Sequence, residues 1–205
     1  MRWRRTAVSL ATVVLLASAG CVDGGDSERS VSDRTERDTA ERSSDRRADR
    51  QERVDTAEGP TVRDHWHVPY GIFICDRFLA PLADQGPDTT GVHTHEDGLV
   101  HVHPFSRAFT GQAANWGLFG EAVGLEFTDT GFTLDGRTYD DTFDCDGEPV
   151  EVAIYEWTAE DLSGSPYVHL SDLAEVWFYR DGLIHTLSVA PIGAEVPPPP
   201  QAELW

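Results

Sequence analysis

The sequence predicts an α+β fold of mostly antiparallel β hairpins with one main helix, placed over residues 61–196 of the 205. Three observations lead there. From Thr61 onward, short alternating apolar runs recur between turns rich in Gly and Asp, the pattern of half-buried strands. Only one stretch, 110–123, carries a helical stripe instead. A hydrophobic content of 40 % with 6 Trp and 9 Phe is enough for a packed core, which excludes global disorder.

Residues 1–20 read as a signal peptide. Arg2, Arg4 and Arg5 precede an apolar run from Ala7 to Ala17 that is too short to span a bilayer. Ser18-Ala19-Gly20-Cys21 resembles a bacterial lipobox, so Cys21 is the expected lipidation site. The chain is then expected to be exported and anchored to the bacterial cell membrane by an N-terminal lipid, outside the cytoplasm. Arg4-Arg5 also weakly resembles a twin-arginine signal, which leaves the export route open. Residues 22–60 hold 12 acidic residues and 8 Arg, with no aromatic. Such a segment buries too little apolar surface to offset chain entropy, so residues 21–60 are expected to be a lipidated Cys followed by a disordered charged linker.

In the folded part, His65 to Cys75 reads as a strand in which Pro69 marks an edge or bulge. Gly91 to Pro104 reads as a hairpin. Thr110 to Val123 reads as a helix with Thr110 as its cap, Trp116, Phe119 and Val123 on one face, and Gly124 at its end. Leu125–Thr128 and Phe132–Leu134 form a second hairpin, and Val150–Trp157 a further strand. Ala174–Tyr179 and Leu183–Val189 are expected to pair around Asp181-Gly182. Residues 197–205 are a Pro-rich tail with a polyproline exit.

The formal net charge is −20, every basic residue is Arg, and there is no Lys. A nucleic-acid binder needs a basic footprint, so nucleic acid is excluded as a partner. Membrane contact is expected through the lipid anchor only, and the sequence names no protein partner. Residues 61–205 hold 24 acidic residues and 5 Arg, so nearly all the excess lies on the folded domain, where it attracts cations. Cys75 and Cys145 remain once Cys21 is assigned to lipid. In an oxidising compartment a disulfide between them is the first reading, and two thiols joining a metal site the alternative.

Six of the 8 His lie between positions 65 and 103, as the pairs His65/His67, His93/His95 and His101/His103. On a strand, i and i+2 share a face, so each pair presents two imidazoles side by side. Two registers are open to the central hairpin. A two-residue turn at Asp97-Gly98 puts His93/His95 and His101/His103 on opposite faces. A three-residue loop, Glu96-Asp97-Gly98 with Gly98 left-handed, puts His93 opposite His101 and all four His on one face. The second also gathers Val92, Val100 and Val102 on the other face, and is the preferred register because burial fixes register. The six His are the expected metal ligands, and Asp64, Glu96 and Asp97 the candidate supporting carboxylates. The expected cofactor is a divalent transition metal, with zinc favoured over copper or nickel. His169 and His185 stand alone and read as ordinary residues.

The strings His65-Trp66-His67, Gly91-Val92-His93-Thr94-His95 and Gly98-Leu99-Val100-His101-Val102 resemble a prokaryotic family of secreted or membrane-anchored proteins. Members carry a His-x-His strand and a Gly-[Ile/Val]-His-Thr-His…Gly-Ile-Ile-His hairpin, followed by a short helix and a β-rich C-terminal half. The resemblance runs over roughly residues 62–193. It implies an architecture and a shared histidine cluster, and no activity. Relatives carry Glu at the position of His103, so the resemblance favours His93, His95 and His101 as the ligand set. The C-terminal strands also resemble a β-grasp.

The leading functional expectation is a lipid-anchored envelope protein that binds a divalent transition metal as a non-enzymatic metal-handling or accessory module. One alternative is a metal-dependent hydrolase or hydratase using a metal-bound water, with Glu96 or Asp64 as base; no nucleophile motif or phosphate loop accompanies it. Another is a non-metal interaction domain on a stalk.

Overall fold

In the computed structural model, residues 44, 45 and 47–204 are described. The chain divides into two compact units, Met1–Arg46 and Arg47–Trp205, and every element named below belongs to the second. The expected signal peptide, Cys21 and most of the linker lie outside the described residues. Among the described residues, no helix is long and apolar enough to cross a membrane.

Helix α1 (residues 47–56) opens this unit. Four strands follow: β1 (Trp66–Ile74), β2 (Arg77–Phe78), β3 (Val92–His93) and β4 (Leu99–Val102). Helix α2 (Trp116–Val123) leads into β5 (Leu125–Phe127), β6 (Phe132–Leu134), β7 (Arg137–Tyr139) and β8 (Asp144–Cys145). The long strand β9 (Glu148–Thr158), then β10 (Tyr167–His169) and β11 (Leu183–Pro191), complete the set.

The main sheet has the order β10-β9-β11-β1-β4-β3, with β2 paired to β1 and β8 to β9. β5-β6-β7 form a separate three-stranded sheet. The fold is α+β and mostly β, as the sequence predicts. All pairings are antiparallel except the central one, where β1 and β11 run parallel. The two parallel central strands are each flanked by an antiparallel neighbour, which makes the sheet mixed. It draws on both halves of the chain rather than on the C-terminal half alone.

Pro69 explains how β1 serves two partners. Trp66 to Pro69 pair with β4, and Tyr70 to Ile74 pair with β11. Proline has no N–H to give a ladder, so the strand changes neighbour there at little cost. One face of the sheet carries Val68, Tyr70, Ile72 and Ile74 against Trp116, Phe119 and Val123 of α2. The other face is closed by Phe73, Ala190 and Val196 and by Trp157, Ile184 and Ala202. β11 is therefore buried on both sides.

Four expectations need correction. The α-helix begins at Trp116, not Thr110, because the Asn115 side chain accepts the Leu118 N–H at 2.9 Å and caps it; residues 111–113 make a separate tight turn. Gly124 ends the helix in the left-handed region (φ 72°), as expected. Ala174–Tyr179 does not pair with β11. A strand buried on both faces needs a long neighbour, and β9 supplies nine paired positions, from Leu183↔Thr158 to Pro191↔Val150. Residues 176–178 instead bond across to 114–116, steadying the start of α2. The Pro-rich tail packs back onto the sheet: the Thr186 hydroxyl donates to the Pro197 carbonyl (3.0 Å), and Ala202 is buried beside Trp157 and Ile184. Finally, the C-terminal part of the charged linker is helical as α1, with Val54 and Ala57 packed on the core.

Cys75 and Cys145 are joined as a disulfide with Cα atoms 5.5 Å apart, tying the end of β1 to β8. It closes a loop of 70 residues in sequence. Chain-entropy arguments give such a crosslink a stabilisation of about 4 kcal/mol. Reduction of the folded protein is expected to lower the urea unfolding free energy by about 2–4 kcal/mol, read from paired unfolding curves with and without reductant. Overlapping curves would refute it.

Candidate metal centre

The preferred hairpin register is the one observed. Val92 pairs with Val102 and His93 with His101. Gly98 is left-handed (φ 76°), and Glu96 shares that conformation (φ 61°) at the loop tip. The loop is closed by Asp97, whose Oδ1 accepts the Leu99 N–H at 3.0 Å. Val92, Val100 and Val102 are completely buried on the far face, together with Val68.

β1 extends this face by one strand. His67 pairs with His101, which pairs with His93, so three imidazoles stand in one row across three strands. His65 and His103 occupy the next row, in a tilted ring contact with centroids 4.9 Å apart. Centroid separations of 4.5 Å for His95–His101, 4.7 Å for His93–His95, 4.7 Å for His67–His101 and 4.8 Å for His93–His103 make the six rings continuous. All six expected ligands are thus brought together. His93 and His101 are buried, His67 and His103 half-buried, and His65 and His95 exposed.

Two aspartates hold the buried pair. Asp88 accepts the Thr90 and Gly91 N–H groups on Oδ1 (3.0 and 2.8 Å), and its Oδ2 is bonded to Nδ1 of His93. Asp97 is fixed in the same manner by Leu99, and its Oδ2 lies 2.9 Å from Nε2 of His101. Each carboxylate thus fixes a ring orientation and leaves the opposite nitrogen for a ligand role, the arrangement that supports metal-bound histidines. For His93 that nitrogen is Nε2, 3.4 Å from Nε2 of His103. Two nitrogens bound to one tetrahedral zinc at about 2.0–2.1 Å lie roughly 3.3–3.4 Å apart, so this pair has the bite of a tetrahedral site.

Three overlapping groups place their ligand atoms within 4.8 Å of one another: His65/His67/His101, His93/His95/His101 and Asp88/His93/His103. His93 and His101 each belong to two of them. Burial pushes the pKa of His101 down, against the opposing pull of Asp97. Burial and then the neighbouring His93 and His65 do the same at His103. Both rings are therefore neutral at pH 7, the form that binds metal. Burial acts to raise the Asp88 and Asp97 pKa values, but the backbone N–H groups and the histidines outweigh it and hold both low.

No protein-family model, curated protein or solved structure matches the chain. The site therefore stands on its own geometry.

Of the carboxylates singled out in the sequence, only Asp97 reaches the cluster. Asp64 accepts the Thr61 N–H at 2.6 Å and caps its own turn, and Glu96 is exposed at the loop tip and belongs to none of the candidate metal groups. Asp88 was the residue missed. Its signal is the Asp88-Thr89-Thr90-Gly91 turn, where an Asp folds onto N–H groups two and three residues on and reaches the strand that follows. Beside it, a cleft of about 320 Å³ is lined by Asp84, Asp88, Thr90, Leu118 and Glu121, among others.

A second polar centre also lay beyond the sequence reading, and it engages both histidines read as ordinary. Glu156 is 4 % exposed. Its Oε1 accepts from the Tyr179 hydroxyl (2.9 Å) and Arg50 Nε (2.8 Å). Its Oε2 meets Arg50 Nη2 (3.0 Å) and His169 Nε2 (3.1 Å), with His185 Nε2 at 3.4 Å. The Trp116 indole donates to Nδ1 of the wholly buried His185 (2.9 Å), which leaves the proton of a neutral ring on Nε2, facing Glu156. The missed signal is alternation: Val150, Val152 and Ile154 are buried, so Glu156 falls on the same inward face and requires partners.

Burial alone would raise the Glu156 pKa, but bonds from His169, His185 and Arg50 overcome it and hold the carboxyl well below its ordinary 4.5. A carboxyl depressed in the folded state contributes stability that is complete above the unfolded pKa. That contribution is lost as pH falls through the folded one. Urea midpoints are accordingly expected to fall less steeply between pH 6 and pH 3 in Glu156→Gln than in the wild type. Parallel pH profiles would show that Glu156 carries no such linkage.

Proposed function

We propose that the protein is a lipid-anchored envelope protein that binds one divalent transition metal ion, zinc before copper or nickel, on its histidine face, as a metal-handling or accessory module. The observation that carries this reading is the paired support of His93 and His101: two buried imidazoles on adjacent strands, each aligned by an aspartate that is itself pinned by backbone N–H groups. An ordinary histidine-rich surface has no need of that second layer. The surrounding acidic domain concentrates cations at the site. His93, His95 and His101 are the ligands we assign first, with His65, His67 and His103 forming the flanks of the face. Lipidation at Cys21 and export account for the long charged spacer and agree with the disulfide, which needs an oxidising compartment.

A second reading, hydrolysis or hydration by a metal-bound water, is favoured by the cleft beside Asp88. Asp64 and Glu96 are not placed to act as its base.

Zinc added to metal-free protein is expected to bind with a stoichiometry of one and to raise the thermal midpoint. His93→Ala or His101→Ala should abolish both effects, and His65→Ala should weaken them less. Asp88→Asn and Asp97→Asn should each loosen binding by about 10–100-fold while leaving the fold intact. Calorimetric titration checks the stoichiometry and affinity. A midpoint indifferent to zinc and to chelator would overturn the reading.

A further inference from the structure

The Glu156 centre is more than a satisfied buried charge, because of what fills it. Arg50 comes from α1, in the charged segment that carries 8 Arg between residues 22 and 60. Its guanidinium meets Glu156 through Nε and Nη2 at 2.8 and 3.0 Å, the paired geometry by which a guanidinium recognises a carboxylate. The Tyr167 ring lies under the same group, 3.8 Å from the guanidinium carbon, and the Tyr179 ring stands at 5.8 Å. His169 Nε2 stands on the remaining side, 3.1 Å from Nη2, with its proton directed to Glu156 Oε2. A buried carboxylate floor, an aromatic wall and an imidazole rim match the charge, plane and donors of a guanidinium together, and an ammonium would match only the charge. The cup is built on β9 and β10, strands of the main sheet, and on Tyr179 from the segment before β11, whereas its occupant belongs to a short helix held otherwise by Val54 and Ala57.

We propose that Glu156, Tyr167, His169 and Tyr179 form a guanidinium-binding site that the chain fills with its own Arg50 and that accepts another arginine side chain when α1 lifts away. The ligand class is thus an arginine-bearing segment. This inference is independent of the metal reading, since none of these residues belongs to the histidine face.

The test uses the full chain carrying Arg50→Ala and Arg53→Ala, the second change preventing the next arginine of α1 from taking the vacated place. Low-millimolar methylguanidinium is expected to raise its thermal midpoint saturably by about 3–5 °C. Methylammonium at equal ionic strength should do nothing, and neither should methylguanidinium with the wild type, whose site is filled. A labelled peptide of residues 44–58 should bind the double variant, and the same peptide with Arg50→Ala should not. Adding Glu156→Gln to the double variant should abolish both responses. If the double variant does not fold, Arg50→Lys serves as host, since it keeps the charge without the paired donors. An equal response to methylammonium, an equal response of the wild type, or no response in a folded host would each overturn the proposal.

Discussion

Strand β1 is shared, and that constraint organises everything around it. Its first four residues are laddered to β4 and its last five to β11, with the exchange at Pro69. The register on the first side decides which residues face which way. A slip of one residue would turn His67 inward and Val68 outward. Val68, Val92, Val100 and Val102 oppose such a slip, because each is fully buried and each contributes about 1.5 kcal/mol to the correct register. Imidazoles that repel one another once protonated do not hold this face together. The apolar side of the same ribbon does, and the histidines are displayed as its consequence.

The two polar centres solve opposite problems with the same side chains. On the histidine face, the carboxylates sit behind the rings and take up one nitrogen of each, turning the other toward neighbouring imidazoles. At Glu156 the carboxylate is in front, and its oxygens are surrounded by one tyrosine hydroxyl, one guanidinium and two imidazoles. One arrangement conserves lone pairs, and the other consumes them. The difference follows from depth: the first centre lies on the rim of the sheet, whereas the second lies where an unpaired charge would cost several kcal/mol.

Much of this was legible in the chain itself. The left-handed requirement at Gly98 and the valine alternation favour the observed hairpin register over the two-residue turn. The Asp129-Thr130-Gly131 turn marks the β5–β6 hairpin, and the cysteine count points to the one disulfide. The parallel pairing of β1 with β11 was not legible. It joins segments more than a hundred residues apart, and no local pattern records that. The same long-range pairing conceals the second centre, since His185 lies directly opposite Glu156 only after β9 and β11 have aligned. The hairpin expected over 174–189 failed because a local turn signal at Asp181-Gly182 competed with a longer strand, β9, and lost. Asp181 found another use, accepting the His67 N–H at 3.0 Å.

The C-terminal residues bear on the histidine face in a further way. A side chain at Gly98 would collide with Gln201, so the loop that sets the hairpin rests against the far end of the chain. The strand that steadies β1, at 183–191, likewise lies more than a hundred residues beyond it in the chain. The histidine face therefore cannot be completed by the segment that encodes it. A chain lacking residues 183–204 would hold all six histidines and still lack the partners that set their arrangement, which makes the histidine face a property of the finished fold and not of its own segment.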